Sequence, residues 1–113
     1  MDPDQTFNKV FSNLTLAESR NKHRNKDGSL VTSPVGAQGI TQVMPLTQKD
    51  PGYGVRPAQN DSQEEFLRVG KEYLAAMHKE FGGDWAKAAA AYNAGPGNVH
   101  KAIKRAAKSG KGW

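Results

Sequence analysis

PDQTFNKVFSNLTLAESR, residues 3–20, is the stretch from which the fold is read. Phe7, Phe11 and Leu14 precede Glu18 by eleven, seven and four positions, with Val10 beside them. Those offsets place the apolar residues on one stripe of an amphipathic helix and put Glu18 on that same stripe. Asp2 is suited to cap the helix, Pro3 to occupy its first position and Gln5 to complete a capping box. The helix is expected to run to about Arg20. An ionised carboxylate is costly to bury. Either the helix frays before Glu18, or Glu18 is held where its neutral form is favoured.

The chain beyond this helix reads as mostly α. Residues 20–33 are polar, and Asp27-Gly28 predicts a turn or small hairpin returning through Leu30 and Val31. Ser33-Pro34 is punctuation. Ile40, Val43, Met44 and Thr47 have helical spacing and predict a short helix over 36–48, although Gly36 and Gly39 are poor helix formers and Pro45 marks an end or kink. The glycines suit a place where another backbone or a ligand comes close. Residues 49–60 are a proline- and glycine-rich loop. A third helix is expected over 62–81, with a Ser62/Glu65 capping box and Phe66, Val69, Tyr73, Leu74, Met77 and Phe81 inward. Asp84 caps a fourth over 84–93, with Trp85, Ala88, Ala89 and Tyr92 on one face. Asn98 caps a fifth over 98–108, with Val99, Ile103 and Ala106 inward and lysines outward.

The 113 residues suit a single domain with a small core, 36% of them being hydrophobic. No run approaches the roughly 18 apolar residues of a membrane span. The N-terminus does not resemble a signal peptide. Without cysteine there is no disulfide framework and no thiolate metal site. The net charge of +5 lies mainly in two stretches, one holding Arg20, Lys22, Arg24 and Lys26, the other Lys101, Lys104, Arg105, Lys108 and Lys111. Such a balance suits a polyanionic partner or a solvated face.

His23, His78 and His100 are single and widely spaced, read as surface histidines, and form no metal pattern. No nucleophile elbow or phosphate loop is present. Two readings of the residues remain. In one, the fourth helix, a glycine turn and a basic fifth helix make a binding module resembling a helix-turn-helix in outline, for wall polymer or nucleic acid. In the other, a half-buried glutamate acts as a general acid on a sugar.

Three blocks bear on that choice: Glu18-Ser19, SPVGAQGITQVMP at 33–45 and AAYNAGPGNV at 90–99. Together, and in this order, they resemble the signature blocks of the soluble lytic transglycosylase family. The resemblance implies a lysozyme-like helical domain that cleaves peptidoglycan without metal or cofactor. It makes Glu18 the catalytic acid and base, and assigns Ser33, Gln42, Met44, Tyr92 and Asn93 to substrate binding. Pattern alone would make Met44 and Tyr92 plain core residues and Ser33 a turn residue. Gln42, between Ile40 and Val43, would need a buried partner. The chain departs from the family pattern at Thr41, which replaces a methionine, and in the length of the segment between Glu18 and Ser33.

Glycosidases commonly use two carboxylates, and no second acid here is placed by a motif. The resemblance therefore implies a product closed on its own C6 hydroxyl, a 1,6-anhydro-muramyl end. A hydrolytic lysozyme of the same fold is the alternative. Glu18, Gln42 and Tyr92 are expected to line one groove. The expected partner is the peptidoglycan glycan strand, not nucleic acid or membrane. The domain is expected to act as a monomer on the bacterial wall in the periplasm. A phage source, carried in the virion or released at lysis, is expected from the missing leader, as is a compact form or a fragment of a larger protein.

Overall fold

The stripe over residues 7–18 folds as a helix. The computed structural model describes residues 3–110, with side chains from Gln5 onward, and its first helix, α1, spans Pro3–Ser19. The expected cap Asp2 lies outside the described residues, as do Lys111, Gly112 and Trp113. Phe7 stacks on Phe11 with ring centroids 6.3 Å apart. The Lys71 ammonium lies 5.7 Å over the Phe11 ring, within cation–π range. The buried centre of the stripe is Phe11, Thr15 and Ser19, one position round from the expected line. Leu14 and Glu18 are half-buried on its flank. The helix does not fray before Glu18.

What ends α1 is a left-handed pair, Arg20 (φ 55°) and Asn21 (φ 60°). Arg20 N–H donates to Leu16 O, the bond of an αL closure made without glycine, and Asn21 N–H donates to Thr15 O. The Thr15 hydroxyl supports it by donating to Asn21 Oδ1 at 2.7 Å. Non-glycine residues in this region cost about 1 kcal/mol each or more.

The hairpin expected after Glu18 is present and minimal. Arg24 bridges Leu30, and the turn closes through Asn25 N–H to Ser29 O at 2.8 Å. Asp27 Oδ1 accepts from both the amide and the hydroxyl of Ser29, and Gly28 takes φ 87°. A second miniature pairing follows, Thr32 with Gln38 and Gln38 with Val43.

That pairing overturns the helix expected over 36–48. The second helix, α2, covers only Pro45–Lys49, with Pro45 in its first turn. Gly36, Gly39 and Gln42 have φ of 94°, 75° and 50°, and no right-handed helix can run through them. The spacing of Ile40 and Val43, both buried, comes from turns and not from a helix.

The loop from Asp50 to Ser62 is fastened by Arg68. Its guanidinium donates to the carbonyls of Arg56 and Pro57 while pairing with Glu65 and Glu72. The hydrogen bond from Arg68, helped by one from the Gln59 amide, pulls the Glu65 carboxyl down to about 2. The third helix, α3, spans Gln63–Glu80. Only half of its expected capping box forms: Ser62 Oγ accepts from Glu65 N–H, but Glu65 Oε1 accepts from Gln59 N–H and not from Ser62. Phe66, Val69, Tyr73, Leu74 and Met77 are its buried residues, each large side chain contributing about 1.5–3 kcal/mol. Phe81 is half-buried just past the helix end.

The chain divides into two compact units between Ala76 and Met77. In the second, Asp84 caps α4, Trp85–Ala94, by accepting from Lys87 N–H at 3.1 Å. Gly95, at φ 95°, turns the chain directly into α5, Pro96–Ser109, which packs on α4. Asn98 is therefore not the expected cap: it lies inside α5 and its amide donates to Ala94 O at 2.6 Å. Trp85 stacks on His78, and Phe81 packs at a tilt against His100. His78 is half-buried with Nε2 on Gly83 O, and exposed His100 sits 3.1 Å from Glu80.

Candidate active site

The turn from Gly39 to Gln42 is built around one residue, Ile40, whose two backbone groups are both held by side chains. Its N–H donates to His23 Nδ1 at 3.0 Å, and its carbonyl accepts from Ser19 Oγ at 2.5 Å. The Ser19 hydroxyl also lies 3.0 Å from Thr15 O, so its single proton is shared between α1 and the turn. This bond ties the residue next to Glu18 to the 39–42 turn.

His23 is the second fastening. Nδ1 must accept, because its partner is a backbone N–H. The ring proton is then on Nε2, which donates to Asp61 O at 2.8 Å. The imidazole is buried and meets the Phe66 ring edge-on at 5.1 Å. This corrects the reading of His23 as a surface residue. Gly39 fits against the same two rings. A Cβ built there would lie 2.5–2.9 Å from Phe66 carbons and His23 Cε1, at a φ that side chains avoid.

Gln42 closes the turn. Its N–H reaches Gly39 O at 3.1 Å, and Nε2 donates to Gly39 O at 2.8 Å and to Val31 O at 3.0 Å. Two carbonyl partners fix the amide orientation and use both of its protons. Gln42 can offer a ligand only the acceptor Oε1. Ser33 is the complement. Its Oγ accepts from Ala37 N–H at 3.0 Å, which leaves the hydroxyl proton to donate elsewhere.

Glu18 is half-buried and has no ion pair among the described residues. Burial pushes its carboxyl above the ordinary 4.5. Asp27 and Asp84 move the other way, each held down by hydrogen bonds. Glu18 is thus placed to keep a proton that an exposed glutamate would lose.

The first unit holds Glu18, Ser33, Gln42 and Met44, and the second holds Tyr92 and Asn93. The Ser19–Ile40 bond joins α1 to the 39–42 turn that ends in Gln42. Met44 is 43% exposed, not the core residue its spacing suggested, and its Cε lies 3.9 Å from where a Gly36 Cβ would stand. Tyr92 is buried and Asn93 exposed in the last turn of α4. The sequence reading missed His23 as a fastening. A lone histidine in a basic run carries no periodic signal. Ser19 was visible as part of Glu18-Ser19 and as the residue eight positions after Phe11.

With this geometry in place, comparison with known proteins is informative. The family model described as the transglycosylase SLT domain matches residues 8–112. The soluble lytic murein transglycosylase of Escherichia coli K12 is 41% identical over 76 residues, which are 61% of this chain and 12% of that protein. Membrane-bound lytic murein transglycosylase D of the same strain is 36% identical over 84 residues, 71% of this chain and 18% of that protein. The crystal structure of the 70 kDa soluble lytic transglycosylase from Escherichia coli superposes with a TM-score of 0.62 at 30% identity, covering 93% of this chain and 19% of that one. An inactive glutamate-to-glutamine mutant of the lytic transglycosylase Slt from Pseudomonas aeruginosa also superposes at 0.62, covering 92% and 18%. The chain spans less than a fifth of the length of each of these relatives. The fold is the lysozyme-like helical one that the three sequence blocks led us to expect. A family match over residues 8–112, supported by sequence and by structure, establishes that the chain belongs to the SLT transglycosylase domain family.

Proposed function

We propose that this domain is a peptidoglycan lytic transglycosylase that cleaves the β-1,4 bond after N-acetylmuramic acid, with Glu18 as its acid and base. The observation that carries this reading is a carboxyl at the end of α1, half-buried without a cationic partner among the described residues and pushed up by desolvation. A carboxylic acid that keeps its proton towards working pH can give it to a glycosidic oxygen. The family relatives named as lytic murein transglycosylases supply the substrate class.

In the proposed sequence, protonated Glu18 delivers its proton to the leaving oxygen as the glycosidic bond breaks. The substrate's own N-acetyl group stabilises the developing sugar cation. Glu18, now a carboxylate, removes the proton of the C6 hydroxyl, and that oxygen bonds to C1. Atoms balance without water, and the muramyl end becomes a 1,6-anhydro ring. Gln42 would accept from an N–H or O–H of the sugar through Oε1, and Ser33 would donate through its hydroxyl. Met44, exposed beside Gly36, would give an apolar contact to a pyranose face. Tyr92 and Asn93 are assigned to the same substrate by the AAYNAGPGNV block. The site of action would be the bacterial cell wall.

Mass spectrometry of a complete sacculus digest tests the chemistry. Anhydro ends, lighter by one water than hydrolytic ends, are expected. Predominantly reducing ends would make the domain a hydrolytic lysozyme. Glu18→Gln keeps the side-chain shape but moves no proton, and turnover should fall at least roughly a hundredfold. Its stability carries a second signature. A carboxyl raised on folding favours the fold while protonated and loses that advantage as pH rises above 4.5. Glu18→Gln should therefore melt higher than the parent at neutral pH, with the gap closing as pH falls towards that value.

A further inference from the structure

Charge is unevenly divided along this chain. Up to Ala76, nine lysines and arginines face nine aspartates and glutamates, so the first unit is formally neutral. From Met77 on, seven cations face two carboxylates, and the whole net charge of +5 belongs to the second unit. Asp84 is the last acid in the chain. Four of the cations, Lys101, Lys104, Arg105 and Lys108, follow i, i+3, i+4, i+7 spacing on α5 and share one face. They are exposed, enter no ion pair among the described residues, and line an open depression of about 260 Å³. They span roughly 10 Å of helix axis.

The opposite side of α5 is already used. Val99 is buried, and Ala102, Ile103 and Ala106 are half-buried where α5 packs on α4. No large hydrophobic side chain is exposed among the described residues of this unit, so none of them is offered to a lipid surface. Nor do its described aromatic rings offer a platform for stacking bases: Trp85 stacks with His78, Phe81 packs with His100, and Tyr92 is buried. What remains is a dense, unpaired positive face suited to carboxylates repeated along a polymer.

We infer that the outer face of α5 is a non-catalytic tether that holds the carboxylate-bearing peptide stems of polymeric murein. The inference rests on the proposed substrate, but it concerns attachment and not cleavage. A neutral first unit carries the proposed acid, and a cationic second unit raises the local concentration of the polymer. Such attachment is long-range and weakens as salt shortens the roughly 10 Å screening length of 0.1 M solution.

The test measures co-sedimentation with purified sacculi across a salt series, in a Glu18→Gln background so that nothing is cleaved. Combined Lys101→Gln, Lys104→Gln, Arg105→Gln and Lys108→Gln should weaken low-salt attachment about tenfold and flatten its salt dependence. Lys101→Arg, Lys104→Arg and Lys108→Arg together, which keep the charge, should leave attachment intact. Sacculi with amidated stem carboxylates should bind the unsubstituted α5 protein as weakly as untreated sacculi bind the glutamine variant. In the Glu18 parent, the glutamine substitutions should leave cleavage of short soluble glycans unchanged. Three results would overturn the tether: undiminished attachment by the glutamine variant, undiminished binding to amidated sacculi, or tighter binding to a DNA duplex than to sacculi at equal anionic charge. Failure of the proposed function shows elsewhere, as absent cleavage by the parent protein.

Discussion

Residues 20–44 and residues 84–109 use the backbone in opposite ways. Six residues of the first segment have left-handed φ, namely Arg20, Asn21, Gly28, Gly36, Gly39 and Gln42. In the second only Gly95 does, between two regular helices. The first segment is held by individual hydrogen bonds to Ile40, Gln42 and His23, and its salt bridge, Arg24 to Asp61, serves the hairpin. The second is held by helical repetition and displays its charge on one face. Positioning therefore belongs to the irregular segment, where a single side chain can fix one peptide group, and display belongs to the regular one. Arg24 illustrates the difference: its charge is spent on Asp61 and on the carbonyls of Gly28 and Asp61. Among the described residues, no lysine or arginine of α5 is committed in this way.

The contrast breaks most easily at Gly39. Alanine there must push against Phe66 carbons at 2.5 and 2.8 Å and His23 Cε1 at 2.9 Å, while holding φ at 75°. Overpacking and left-handed strain together should cost about 2–4 kcal/mol. Chemical denaturation measures this, and activity should fall with it, because the turn that holds Gln42 must move. A Gly39→Ala protein of unchanged stability would mean that the two rings yield freely and that the turn is not rigid.

A smaller and more selective effect is expected at His23. Asparagine places an acceptor where Nδ1 stands and can keep the Ile40 N–H bond. Glutamine reaches the Nε2 position and can keep Asp61 O, but leaves the Ile40 N–H without its acceptor. Asp61 O already accepts from Arg24, whereas the Ile40 N–H has His23 as its partner. His23→Gln should thus be about 1 kcal/mol less stable than His23→Asn, and slower in cleavage. The order of the two variants is the readout, since both leave the same space beside Phe66. Reversal of that order would show that the Asp61 contact, and not the Ile40 contact, fixes the turn.

Legibility in sequence followed the same division. The α3 and α4 helices were readable because Phe66, Val69, Tyr73, Leu74 and Met77, or Ala88 and Tyr92, repeat at helical spacing and pack as they repeat. The segment 36–48 was misread for the same reason. Ile40 and Val43 have helical spacing and are buried, but by turns at Gly39 and Gln42 that no periodicity encodes. The signal against a helix lay in Gly36 and Gly39, and it was outweighed. The stripe singled out Glu18 but left its state open, its role came from resemblance, and the buried line proved to run through Thr15 and Ser19. Roles for Ser33, Gln42, Tyr92 and Asn93 came from resemblance. Nothing in their spacing distinguishes an amide fixed on two carbonyls from one in a helix.

The smallest expected effect has the opposite sign and uses the same substitution as Gly39. Gly97 lies in the first turn of α5, and a Cβ built there meets nothing within 4 Å. Its φ is outside the left-handed range that favours glycine. Alanine should therefore stabilise the fold by about 0.5–1 kcal/mol, through helix propensity and a less free unfolded chain. Folding gives no reason for glycine at this position, yet Gly97 falls inside the AAYNAGPGNV block. Since the helix start is capped and turned by Gly95 and Pro96, we expect cleavage by Gly97→Ala to be unchanged while its melting temperature rises. A higher melting temperature with lost cleavage would sharpen the comparison in another direction. It would mean that glycine leaves room for substrate to approach the backbone of α5, so that the regular segment positions as well as displays.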